Sequence, residues 1–350
     1  MEGLKNKKSQ FIGITIMVVL MVFTVSQVLK GESIDSIVTA LRSVKPIYIL
    51  TGIGMMLLYA SLEGVNIWLI IRGLKYRTSI LKCIGYGFVG FYFSSITPSA
   101  SGGQPAQVYY MKKDGISVTA SSLSLMLILF AHQLVVVIYA LIGLLTNTNI
   151  GGSQLANTIL LAFGFITNAI LLIGIILLVY WPKLVFKILN FFGLLLHRSR
   201  IIKNKEKIEK KISSSVEEYE RGAIYMRNNP ILLLKVTVLT LVQISLLYAV
   251  PYVVYRGFGL SGYTIMDLIL MQAILNIAVS SLPLPGGVGA SESLFLSMFM
   301  VFYGKKLLVP GMLLTRISNF YSVLVISGII SLIMYLWPSK KEAERAFKSY

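Results

Sequence analysis

The sequence predicts an all-α, polytopic helical membrane protein with about six full spans and two re-entrant, broken-helix hairpins in inverted arrangement. Three observations carry that expectation. Of 350 residues, 56% are hydrophobic and only 13% are charged, against roughly 25% charged in a soluble domain. Several apolar runs reach the ~18–20 residues needed to cross a ~30 Å hydrocarbon core. Two further runs are broken in the middle by proline, glycine and serine, as SSITPSASGGQPAQVYY at 94–110 and SLPLPGGVGASES at 281–293. Alternating ten-residue strands of a β-barrel do not occur.

The N-terminal MEGLKNKKSQ is followed by a long apolar run without an A-x-A-like cleavage site, so it reads as a retained first span at 11–29. Full spans follow near 46–71, 118–145, 155–181, 231–255 and 308–337. The interrupted regions are 79–112 and 264–303. The chain reads as one integral membrane domain, 1–350.

Charge orients the map. Lys5, Lys7 and Lys8 put the N-terminus in the cytoplasm. Span two returns there beside Arg72, Lys75, Arg77 and Lys82, and the span at 118 starts beside Lys112 and Lys113. Segment 79–112 therefore begins and ends inside, with about 30 residues available, too few for two crossings at ~20 each. It must dip and return. By the same counting 264–303 dips from the outer face, and the C-terminal tail is cytoplasmic. A full crossing by 264–283 is the alternative, because Lys305 and Lys306 would otherwise lie outside. The polar block 198–228 has Ile201, Ile208, Ile212, Val216 and Tyr219 at near-helical spacing among lysines and glutamates, the pattern of a cytoplasmic amphipathic helix on the membrane surface.

The net charge of +18 sits in short loops, which suits an anionic leaflet and not nucleic acid. Cys83 is the only cysteine. His132 and His197 match no ligand motif, so no metal and no cofactor is expected. No Walker sequence or nucleophile–base constellation appears, and GGVGAS lacks the strand–helix setting of a dinucleotide fingerprint.

Irregular backbone at bilayer depth must face protein or a wet cavity. After each break a helix restarts, near Gln104 and near Ser291, with its positive end at the turn. Pro105 suits the first position of such a helix. Amides around Gly102, Gly103, Gly286 and Gly287 are thus expected to hold a lipid phosphate. Ionisable residues at depth are costly and usually functional. Glu292 fits charge complementation of the second half-helix, a cationic headgroup or a pair with Arg316, which faces a cavity. Glu63 fits a buried ion pair or a substrate contact. Asp267 reads as solvated, Asn276 as an interhelical hydrogen bonder, and His132 as a satisfied interhelical hydrogen bonder in preference to a proton relay.

TPSASGGQPAQVYYMKKDGIS is similar to a P-S-x-x-G-G-E-P-A-R…G-V-S pattern, and SSLPLPGGVGASESLFLSMF resembles P-x-P-G-G-x-G-x-x-E. Together they resemble the lysylphosphatidylglycerol synthase transmembrane, or flippase-like, family, which includes the membrane half of multiple peptide resistance factor. The resemblance covers nearly the whole chain. It matches Pro98, Gly102, Gly103, Pro105, Pro285, Gly286, Gly287, Gly289, Glu292 and Arg316 to motif positions. Gln104 and Gln107 stand where Glu and Arg are usual, so that charge pair is absent. The resemblance implies translocation of aminoacylated phosphatidylglycerol, or a related anionic or lipid-linked substrate, across a bacterial cell membrane, contributing to cationic peptide resistance. It also implies a bifunctional relative with a cytoplasmic aminoacyl-tRNA-dependent domain. A chain closing at Tyr350 leaves no room for one, so the translocation half alone is expected. The alternatives are the membrane part of a phosphatidylglycerol lysyltransferase acting with a separate aminoacyltransferase, and an ion-coupled solute carrier using Glu63 and Glu292. The partner expected in every lipid reading is membrane phospholipid.

Overall fold

A computed structural model describes residues 34–146, 155–181 and 227–336, with Leu184, Lys187, Ile224 and Tyr225. The expected first span at 11–29 and nearly all of the amphipathic block 198–228 lie outside the described residues. Eleven α-helices are described: α1 Ile34–Ser43, α2 Pro46–Gly73, α3 Ile80–Ser95, α4 Gly103–Lys113, α5 Val118–Thr146, α6 Leu155–Tyr180, α7 Pro230–Gly257, α8 Ile265–Ser280, α9 Ala290–Met298, α10 Met300–Arg316 and α11 Ser322–Leu336. Short 3₁₀ turns at Pro98–Ala100 and Pro285–Gly287 join α3 to α4 and α8 to α9, and a π turn, Ile317–Tyr321, joins α10 to α11. No strand occurs among the described residues.

Among the described residues, five segments are long and apolar enough to cross a bilayer: α2, α5, Ile159–Leu177 of α6, α7, and Met300–Leu336. They coincide with five of the six full spans expected from the sequence. The protein is a polytopic helical membrane protein. The last segment does not run straight from 300. Gly304 has φ 64° and ψ 166°, a conformation that ends a helix and is open only to glycine. The last span therefore starts at Lys305, close to the expected 308.

Helices α3, α4, α8 and α9 have 16, 11, 16 and 9 residues. At 1.5 Å per residue even the longest covers only about 24 Å. They pair into two hairpins. Lys82, in the first turn of α3, bridges Asp114 just beyond α4 at 2.6 Å, and the Tyr86 hydroxyl donates to the same carboxylate at 2.6 Å. That closes the base of the first hairpin. The base of the second is closed by aromatic contact, with the rings of Tyr263 and Phe302 4.7 Å apart.

The two bases sit at opposite ends of α2. Val44 and Tyr48, around its start, pack with α8, Phe299 and Tyr303, while Ile67, Ile70 and Ile71, near its end, pack with Cys83 and Tyr86 of α3. The turns nevertheless touch each other. Ile96 beyond α3, Val288 of the second turn, and Phe320 and Leu324 of the last span share one small apolar cluster there. The hairpins thus enter the bundle from opposite ends and meet tip to tip.

Glycines set the closest approaches. A methyl on Gly87 of α3 would collide with the Ala60 carbonyl of α2, and one on Gly64 with the backbone of Ile84. Small residues let membrane helices come to backbone contact, where dispersion replaces the missing hydrophobic drive.

Candidate functional site

A cavity of about 610 Å³ lies where the tips meet. Its walls come from α2, α3, α4, α5, α7, α8 and α9, from both turns, and from the junction of α10 with the π turn. One end is acidic and the other basic.

At the acidic end stands Glu63 of α2. Gln243 of α7 donates to its Oε2 at 3.1 Å, and Gln107 of α4 approaches its Oε1 at 3.4 Å while donating to the Tyr86 carbonyl at 3.2 Å. The room for these groups is made by glycine. A Cβ on Gly90 would strike the Gln107 carboxamide, and one on Gly87 would crowd Glu63 itself. His132 of α5 lines the same space. No hydrogen bond to it exists among the described residues, contrary to the expected interhelical bond.

At the basic end Arg316 points back to the second tip. Its Nε donates to Glu292 Oε1 at 2.7 Å and its Nη2 to the Gly286 carbonyl at 3.2 Å. The guanidinium also lies 4.4 Å from the centroid of the Phe320 ring. The other carboxylate oxygen, Glu292 Oε2, accepts from the Gly289 amide at 2.7 Å. Glu292 therefore does two of the jobs foreseen for it: it complements the start of α9 and pairs with Arg316. The Arg316 side chain keeps 12% of its surface exposed and that of Glu292 only 2%. Two bonds leave most of the five guanidinium donors available.

Two carboxamides flank this end. Gln272 of α8 and Asn319 of the π turn are each about nine-tenths buried and line the cavity, and each leaves its oxygen without a partner. Buried polar atoms are normally paired, so each of these two oxygens lacks a donor. Asn276 instead donates to the Tyr248 hydroxyl at 3.0 Å, the interhelical bond its sequence position suggested. Asp267 caps the start of α8 with Thr264 and is exposed, as expected.

The second tip is tied down from behind. The Asn168 carboxamide of α6 reaches the hydroxyls of Ser280 and Ser281 at 3.0 and 3.2 Å, and accepts from Gln133 at 2.9 Å. Gly286, with φ 59°, presses on the Phe320 ring so closely that a Cβ would overlap it.

The structure brings Glu63, Gln104, Gly286, Gly287 and Arg316 onto the cavity wall. Gly102, Gly103, Pro105, Gly289 and Glu292 stand behind it as supports. Two of the proposed anion-binding amides are already engaged: that of Gly102 donates to Thr97 Oγ1 at 2.9 Å and that of Gly287 to the Leu284 carbonyl at 3.1 Å. At the first tip the amides of Gly103 and Gln104 are left, since the first turn of a helix has no internal acceptors for them. Pro105 is the third residue of α4, not the first, still within the turn where its missing N–H costs nothing.

Sequence reasoning missed Gln243, Gln272 and Asn319. Their signal was available: each is a carboxamide in an otherwise apolar helical run, where polar groups mark interhelical bonds or cavities.

The chain is 25% identical over 251 residues to a protein described as a UPF0104 membrane protein from Archaeoglobus fulgidus, an overlap of 68% of this chain and 74% of that relative. The family model described as the lysylphosphatidylglycerol synthase TM region matches residues 10–327, a stretch that takes in both hairpins, Glu63 and Arg316. With nearly its whole length matched, this chain belongs to the lysylphosphatidylglycerol synthase TM region family.

Proposed function

We propose that this protein moves a phospholipid, held by its phosphate, between the leaflets of a cell membrane, with both termini in the cytoplasm and the two hairpins re-entrant to mid-bilayer. The observation that carries the reading is the cavity between the tips, walled by irregular backbone and by a guanidinium with unspent donors. Backbone of that kind at bilayer depth is tolerated where it lines a wet cavity, and paired broken helices at the midplane are how many transporters build their sites. A volume near 610 Å³ suits a headgroup, with the acyl chains left in the bilayer. The lipid phosphate sits against Arg316, with the amide of Gln104, on the same cavity wall, facing it. An aminoacylated phosphatidylglycerol is the cargo the family description suggests, and its outward movement would reduce attraction of cationic peptides.

The test is transport in reconstituted vesicles carrying headgroup-labelled phosphatidylglycerol, read by accessibility to an impermeant quencher. Translocation well above that of protein-free vesicles is expected; equal rates would overturn the proposal. The family description also favours a second reading, in which the chain is the membrane part of a phosphatidylglycerol lysyltransferase. Co-purification of a soluble aminoacyltransferase, with lysylated lipid formed by the pair, would favour it.

A further inference from the structure

Five acidic side chains lie among the described residues, and four have an evident arrangement. Glu292 pairs with Arg316 and Asp114 with Lys82. Asp267 caps α8 at an exposed helix end, and Asp35 is exposed. Glu63 is different. It lies in the middle of a spanning helix, half-buried, and no ion pair to it exists among the described residues. Gln107 and Gln243 give its oxygens N–H donors, which orient a carboxylate without neutralising it. A carboxylate at bilayer depth with no cationic partner is costly and is relieved by taking up a proton or a cation.

The groups facing Glu63 narrow the choice. His132 of α5 lines the same cavity. Tyr59 sits one turn earlier on α2. On α7, the Tyr248 hydroxyl is engaged with Asn276, and on α3 the Tyr86 hydroxyl is engaged with Asp114. Arg316, at the other end, already has its carboxylate. A metal cation would need several oxygen ligands converging on it, whereas both glutamines turn their N–H groups toward Glu63. One carboxylate and one imidazole on the same cavity wall suit a proton.

We propose that Glu63 and His132 form a proton-binding site in the cavity, and that proton uptake and release there are coupled to movement of the cargo. The coupling rests on the translocation reading above; the proton binding does not. On protonation the Glu63 carboxylate becomes a neutral carboxylic acid, and on release the proton passes to the imidazole or to water in the cavity.

Two measurements on the full chain separate the parts. Infrared difference spectra across pH, with the protein in lipid nanodiscs, should show a carboxylic-acid band that is missing in Glu63→Gln and titrates differently in His132→Gln. A titration in E63Q identical to wild type overturns the site. If E63Q does not insert, H132Q decides: a titration unchanged from wild type overturns the pair. In phosphatidylglycerol vesicles with labelled lipid, a pH step of about one unit should shift the leaflet ratio, by as much as about tenfold at one proton per lipid. In E63Q the ratio should stay at its value without a gradient. A wild-type ratio indifferent to the gradient overturns the coupling. A wild type that moves no lipid but keeps the Glu63 band defeats the translocation reading and upholds the proton site.

Discussion

Arg316 shows how much one side chain holds together. It joins the last span to the second tip through Glu292 and the Gly286 carbonyl, and stacks on Phe320. Removing one member of a buried pair leaves the other uncompensated, typically a loss of about 3–5 kcal/mol. Arg316→Ala should therefore lower the thermal unfolding midpoint clearly in detergent. Adding Glu292→Gln should recover part of the loss, because the orphaned charge is then gone. A midpoint unchanged in the single variant would contradict this account. Both residues were legible as a possible pair from the sequence, since each is ionisable within an apolar run. The bond from Glu292 back to Gly289 was not: with the helix expected to restart near Ser291, the sequence foresaw only charge complementation of its start. What could not be read was the partnership of Glu63 with Gln107 and Gln243, which lie 44 and 180 residues away. Periodicity records a residue's own helix and says nothing about which distant helix it meets.

At the scale of elements, the contact of α2 with α3 depends on glycine. Gly87→Ala would drive a methyl into the Ala60 carbonyl, and overpacking of this kind costs about 1–3 kcal/mol. Gly54, on an exposed face of α2, has nothing within 4 Å of a built Cβ, so Gly54→Ala should stabilise by about 0.5–1 kcal/mol through helix propensity. The two shifts in unfolding midpoint should have opposite signs. Loss of stability in both would mean that general glycine flexibility, and not the close approach, governs α2. Element boundaries were well marked in the sequence wherever hydrophobic length decided them: α2, α5, α6 and α7 each end within about three residues of the expected spans. The break at Gly304 falls in the gap the sequence left between 303 and 308, although the single glycine did not reveal that the chain turns there by a positive φ.

At the scale of the whole molecule, the tip-to-tip contact organises everything else. With Cys83 replaced by alanine the chain has no thiol. One cysteine introduced at 98–100 and another at 285–287 should then be joined by a short bifunctional reagent, giving a species of altered mobility on gels. Failure to join any such pair, with each site labelled singly, would sink the meeting of the turns. That two hairpins exist, and that they come from opposite ends, follows from charge counting and the Pro/Gly breaks. That they touch does not, because the contact spans nearly 200 residues of chain and depends on how α2 sets their depth.

A pair of abutting plugs is also a form of insulation. Where the turns press together, Ile96, Val288, Phe320 and Leu324 give the seam an apolar lining, a surface that holds water poorly.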